Sequence, residues 1–269
     1  YQRNRALGIH GAGGASGVAI GPITLGLSMV IAGWRFAYLI WVLPILFSLV
    51  LLFKLPKSST VVNQDAAQEP DLDKPTEHRR TSLSTRSYLI LLVAMTINGI
   101  GGQAVSTFMT KYLVSIRGLT ESTASLLYGF SLLIAVLGSL SGGYLAEMIS
   151  SKKWMIIAYL GGLAINAGIY FGPLWVLLIL YLAGGYFGGS TMGPSTSLVA
   201  DFSARERRGL AYTVFMLPFS LMGAVSPVIA AKIIESYEIN ALFPFAICLS
   251  FVSILFLELL PVKGKHIIS

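Results

Sequence analysis

Eight apolar runs, each about as long as a hydrocarbon layer is thick, take up most of this chain. They cover residues 7–31, 36–53, 87–109, 122–146, 154–171, 174–198, 209–231 and 240–260. Crossing a bilayer takes about 20 apolar residues as α-helix. A backbone surrounded by lipid must satisfy its own N–H and C=O groups, so each run reads as a helix and not as a strand. Apolar residues make up 55% of the chain and charged ones 12%, and the mean hydropathy is +0.74. That charge content is about half the usual share for a soluble domain. The fold class is all-α integral membrane, with eight transmembrane helices and multiple passes.

The charges sort by side. With Arg3 and Arg5 placed in the cytoplasm and the runs alternating, fifteen of the nineteen Lys and Arg residues fall on that side. Arg35, Lys111, Arg117 and Lys232 fall opposite. By the positive-inside rule both termini are cytoplasmic, in a plasma membrane. A net charge of +7 raises the thought of nucleic acid. The basic residues lie in short segments between apolar runs, however, so the partners read as the lipid bilayer and a small-molecule solute, not nucleic acid. The one long polar segment, 57–86, is rich in Ser, Asp, Glu, Lys and Pro and reads as a flexible cytoplasmic linker. Cys248 is the single cysteine and lies within an apolar run, so there is no disulfide framework.

Shifted by 205 residues, the sequence partly repeats itself: Arg3 falls on Arg208, Ala6 on Ala211 and Pro22 on Pro227. A basic turn is followed in both places by an apolar helix with a proline inside it. Repeated halves mark secondary transporters. Extending the repeat places four further helices upstream of Tyr1, for twelve in all. Residues 1–56 are then the last two helices of an incomplete amino-terminal bundle, and 87–269 a complete six-helix carboxyl-terminal bundle.

Three segments carry a resemblance. Gly8, Gly17, Gly21-Pro22 and Gly26 are spaced as in the Gly-Pro motif on the fifth helix of drug/proton antiporters, with Leu25 where those proteins usually carry Gly. Gly143 and Glu147, followed by Lys152-Lys153, look like the cytoplasmic loop motif between the eighth and ninth helices, with Met148 and Ser150 in place of an Arg and a Gly. Gly33-Trp34-Arg35 matches a common fifth-to-sixth junction. Together with the linker, these make the chain resemble helices five to twelve of a major facilitator superfamily transporter. The resemblance implies two six-helix bundles that rock around a central site. It also implies export of drug-like or amphipathic compounds, with protons as the coupling ion.

Polar residues inside spans are costly unless paired or facing water, so they are the candidates for solute contact. Thr96, Gly99, Gln103 and Ser106 share one helical face, and the resemblance puts that helix on the cavity, so Gln103 leads as a solute contact. Asn98, on another face with Gly102, reads as structural. Tyr128 with Ser131, and Tyr186 with Ser190, follow. Gly184, Gly188, Gly189 and Gly193-Pro194 mark the sixth run as either a deformable gate or a tight packing surface. Phe215, Pro218 and Phe219 read as an apolar wall. No carboxylate lies deep in a span; Glu258 reads as snorkelling or paired near Lys263 and Lys265. His10 is the one imidazole within a run.

Other classes find little support. His10, His78 and His266 fall in separate segments, and no spacing of His or Cys suggests a metal, so neither an enzyme nor a cofactor is expected. Uptake of a small metabolite, or a non-transporting sensor or scaffold on the same fold, are the alternatives to export.

Overall fold

The computed structural model describes residues 2–54, 85–203 and 208–261, with side chains described outside 2–15, 54, 85, 208–209 and 219. Most of the expected linker, and Lys263 and Lys265, lie outside the described residues. The helices are α1 (Gln2–Ile31), α2 (Trp34–Lys54), α3 (Thr85–Ser115), α4 (Glu121–Ile149), α5 (Ser151–Phe171), α6 (Leu174–Ser190), α7 (Met192–Phe202), α8 (Arg208–Tyr237) and α9 (Leu242–Glu258). A 3-10 turn, Ile239–Ala241, precedes α9. Among the described residues there is no strand. Among the described residues, with α6 and α7 taken together, seven helical stretches are long and apolar enough to span, and Ser16–Ile31 is a shorter apolar helix.

The turn between α1 and α2 depends on Gly33. Its φ of +80° lies in the left-handed region, which a side chain disfavours. Arg35 then lies over the Trp34 ring, 4.7 Å from its centroid. We name the two ends of the molecule by the chain: α2 finishes and α3 starts at the linker end.

α3 packs on α8 and α9, α4 on α6, and α5 on both α6 and α9. Two apolar cores result. One, around Leu91, Met155, Val199, Phe215 and Leu257, fills the linker end. The other, around Met109, Leu113, Ile169, Leu177 and Phe243, fills the opposite end. Several ties between helices run from a hydroxyl to a backbone carbonyl. Ser253 donates to Ala94 O at 2.6 Å, Ser226 to Ile100 O at 2.7 Å and Tyr88 to Ala211 O at 2.6 Å. In lipid the apolar contacts give little net drive, so such bonds and close packing hold the helices together.

Closest packing falls on glycine. A Cβ on Gly138 would strike Tyr186 O, one on Gly142 would strike Ser190 O, one on Gly185 Ser131 O and one on Gly189 Ala135 O. α4 and α6 therefore meet backbone to backbone, each through two glycines four residues apart. α1 joins the bundle in the same way. Gly26 and Gly129 admit no Cβ without collision, and Ser122 donates to Gly26 O at 2.6 Å.

The sixth run, expected as one helix, breaks at Thr191 into α6 and α7. The cause is Pro194, which has no N–H to donate to Ser190 O one turn earlier. The Trp154 indole takes that carbonyl instead, Nε1 donating at 3.2 Å, with the ring 9% exposed. Trp154→Phe is expected to cost about 1–3 kcal/mol, because it leaves a buried carbonyl unpaired. Pro194→Ala should restore the helical bond. Thermal unfolding of the two single variants and the double variant checks this. The cost of Trp154→Phe should largely vanish in the Pro194→Ala background, and strict additivity would rule the argument out.

Candidate solute site

Between the two cores, at mid-height of the bundle, is a cavity of about 420 Å³. It exists because α3 and α6 stand apart while α5 and α9 close it from behind. Its polar lining includes Asn98 and Ser106 on α3, Tyr128 and Ser131 on α4, Tyr159 and Asn166 on α5, Tyr181 on α6, Thr191 at the α6–α7 break and Ser250 on α9. Gly102, Gly162, Gly184 and Gly188 keep it open by contributing no side chain. Among the described residues no Lys, Arg, His, Asp or Glu lines it.

Some of this polarity is internally paired. Ser250 donates to Asn98 Oδ1 at 3.0 Å, and Asn166 Nδ2 donates to Gly162 O at 2.9 Å. Ser131 and Tyr128 both lie close to the Tyr181 hydroxyl. The Asn98 amide nitrogen, the Ser106 and Tyr128 hydroxyls and the Asn166 carbonyl oxygen keep capacity for a guest.

Of the five residues singled out for solute contact, only Tyr128 lines this cavity. Gln103 is exposed on the bundle surface, its Nε2 3.5 Å from Thr107 Oγ1. Thr96 bonds back to Leu92 O at 2.7 Å on its own helix. Tyr186 accepts from Ser141 at 2.9 Å, and Ser190, fully buried, donates to Phe187 O at 2.8 Å. Both lie at the α4–α6 contact. Asn98, read from sequence as structural, both bonds to α9 and lines the cavity. Asn166, Tyr181 and Ser250 were not singled out. The face Asn98, Gly102, Ser106 repeats every four residues and was the available signal.

The motif residues also separate. Gly26 is a close-packing point, while a Cβ on Gly17 or Gly21 would meet nothing within 4 Å. Pro22 lies inside the continuous α1, and Thr24 donates to Gly21 O at 2.8 Å while accepting from the Trp41 indole of α2 at 2.9 Å. Gly8 lies in α1, outside the described side chains. Gly143 and Glu147 line a cleft of about 390 Å³ at the linker end, with Lys152 and Asp201. Lys152 is buried and donates to Glu258 O and Leu260 O, both at 2.8 Å, with its Nζ 3.2 Å from Glu258 Oε2. Glu258 is thus paired with Lys152, in the first turn of α5, while Lys263 and Lys265 lie outside the described residues. Phe215 is buried in the linker-end core and is not a cavity wall. Among the described residues no group of three His, Cys, Asp or Glu gathers that could hold a metal ion.

The sequence profile described as Major Facilitator Superfamily matches residues 1–174 and again 91–267. The chain belongs to the major facilitator superfamily. Curated relatives agree. An MFS-type efflux pump of Mycolicibacterium smegmatis is 26% identical over 219 residues, covering 76% of this chain and 49% of that protein. A putative proline/betaine transporter of Staphylococcus aureus is 24% identical over 229 residues, covering 82% and 49%. The chain therefore spans about half the length of these relatives. An uncharacterized MFS-type transporter of Bacillus subtilis is 24% identical over 123 residues, covering 45% and 30%.

For a major facilitator chain, the α4–α5 turn shows why a glycine suits its loop motif. Ser150, at the position where the motif's Gly is expected, has φ +115° and ψ 148°, a region suited to glycine. Two local bonds hold it there: its N–H donates to Ala146 O at 2.9 Å, and its Oγ accepts from Lys153 N at 3.4 Å.

Proposed function

We propose that the chain is part of a secondary active transporter that moves a small solute by alternating access. We read it as a proton-coupled exporter of drug-like or amphipathic compounds. The supporting observation is the cavity: mid-height, between two apolar cores, lined by uncharged hydrogen-bonding groups, within a transporter superfamily. Likeness to a protein named an efflux pump supports the direction. Residues 1–56 then belong to one bundle and 87–269 to the other, joined by a cytoplasmic linker, with both termini cytoplasmic. Among the described residues no carboxylate or imidazole lines the cavity, so the coupling acid would sit elsewhere in the transporter. Gln103 and Thr96, on the bundle surface, would meet the solute on its way in, and Asn98 and Tyr128 would hold it.

Likeness to a protein named a proline/betaine transporter favours a second reading, uptake of a small zwitterion. The uncharged lining argues against it, since each unpaired ion brought out of water costs several kcal/mol.

The test uses the full-length transporter in energised cells preloaded with Nile red, an uncharged amphipathic dye, alongside labelled proline uptake. Nile red should leave and a protonophore should stop it; proline uptake without dye export would replace this reading with the second. Asn98→Leu should raise the half-saturating dye concentration about tenfold, the scale of one or two lost hydrogen bonds. Gln103→Ala, at an exposed position, should raise it about threefold. Ser250→Ala, which leaves Asn98 in place, controls for the structural bond. An unchanged value in Gln103→Ala would remove that residue from the path.

A further inference from the structure

We infer that the cleft between α1–α2 and α3–α4, at the end opposite the linker, is a second binding site, one that holds a zwitterion with an apolar body. The cleft is about 480 Å³ and shares no lining residue with the mid-bundle cavity. Four helices meet there. α1 contributes Met29, α2 Trp34 and Tyr38, α3 Lys111, and α4 Glu121 and Ser125.

Three observations point to a guest. Lys111 and Glu121 border the same space with opposite charges, and among the described residues neither makes an ion pair. An ammonium and a carboxylate that have not closed on each other can each take the opposite charge of a guest. Ser125 is 7% exposed and has no hydrogen-bond partner among the described residues, yet it borders the cleft. Buried hydroxyls are seldom left so, and a polar group of the guest would complete this one. The third observation is an aromatic wall. Tyr38 meets the Trp34 ring edge-on, with centroids 6.1 Å apart. Arg35 covers one indole face, which leaves the other face and the Tyr38 ring for an organic cation. A guest with a single charge would meet one attracting and one repelling side chain; a zwitterion satisfies both. Trp34 and Tyr38 are largely exposed, so a charged guest keeps part of its hydration here. That pairing of charges occurs in free zwitterionic solutes and in the headgroups of zwitterionic lipids. Binding does not depend on transport. If residues 1–56 and 87–269 form separate bundles, as proposed above, a guest here touches both and favours the arrangement in which these walls stand close.

Val114→Cys and, separately, Thr110→Cys, both at lining positions, are placed in the full-length transporter without other cysteines, in nanodiscs of phosphatidylglycerol. Labelling by methyl methanethiosulfonate is timed with ω-amino acids of four or six carbons, and with the amine and the carboxylic acid of each length. One of the amino acids should halve the rate at a concentration at least about threefold below that of its amine or its acid, the scale of one exposed ion pair. Lys111→Met and Glu121→Gln should each remove that advantage. Ser125→Ala should raise the half-protective concentration about fivefold, the scale of one hydrogen bond. Equal protection by all three classes, protection by none, an advantage that survives both charge substitutions, or no labelling at either position would overturn the inference. Repeating the labelling in phosphatidylethanolamine with nothing added separates the sources: slow reaction assigns the site to a lipid headgroup, unhindered reaction to a free solute. If protection holds while Nile red export fails, the transport reading falls and the site stands; export without protection gives the reverse.

Discussion

Gly142→Ala and Gly189→Ala are each expected to destabilise the protein by about 2–3 kcal/mol, while Gly143→Ala and Gly188→Ala, one residue away, change stability by less than about 0.5 kcal/mol. The new methyl at Gly142 meets Ser190 O, and that at Gly189 meets Ala135 O. Both obstacles are backbone, so no side-chain rotation relieves them, and α4 and α6 must move apart. At Gly143 and Gly188 a Cβ meets nothing within 4 Å. Alanine's better helix propensity, about 1 kcal/mol in water, opposes the loss at all four sites and cannot reverse it at the first two. Apparent melting temperature in detergent, followed by tryptophan fluorescence, checks the set. Equal effects at Gly142 and Gly143 would mean that the two helices are not in backbone contact. Because Gly188 also lines the cavity, its variant should fold normally yet bind solute less well.

These neighbouring glycines show where sequence reasoning stops. The apolar helices follow from length and charge, and the Gly-Pro segment and the α4–α5 loop motif from the family resemblance. Which face of each span meets which neighbour does not. In water, an apolar stripe points to the core. In lipid, the outward face is just as apolar: Phe47, Leu52 and Phe53 of α2 are all exposed. The stripe Gly184–Gly188 was visible as a candidate gate or packing surface; in the structure all of Gly184, Gly185, Gly188 and Gly189 border the cavity, and Gly185 and Gly189 are in addition the points of backbone contact with α4. The same ambiguity put Gln103 ahead of Asn98. Their positions on α3 differ by a little more than one turn, and only the placement of α9, through Ser250, shows which of them faces the cavity.

Basic residues show a second limit. Counting them by side gave an orientation, but position in a loop says nothing about contacts across the fold. Arg117, in the α3–α4 turn, donates to Tyr112 OH at 2.9 Å and to Ile169 O at 2.8 Å, near the end of α5. Lys152 does the same for α9 at the other end. Both supply donors to carbonyls at helix ends, where the backbone lacks partners of its own. In a membrane bundle, such tethers across turns hold the ends of helices whose middles are kept apart by a cavity.

The Lys152 tether carries the second large effect. Lys152→Met should lower stability by about 2–3 kcal/mol, and Glu258→Gln by less than about 1 kcal/mol. The ammonium has three protons and three partners: two carbonyl oxygens at 2.8 Å and a carboxylate oxygen at 3.2 Å. Its side chain is 9% exposed and that of Glu258 is 60% exposed, so water already screens the ion pair. The buried share of the energy lies in the carbonyls of Glu258 and Leu260, where the ammonium also meets the negative end of the α9 dipole. Methionine keeps most of the stem's packing and removes all three bonds. Melting in detergent gives the size of each loss. Hydrogen exchange gives its place: protection should fall first over the last turn of α9 in Lys152→Met and stay near wild type in Glu258→Gln. If the two variants lose the same stability, the ion pair carries the effect and the capping argument fails.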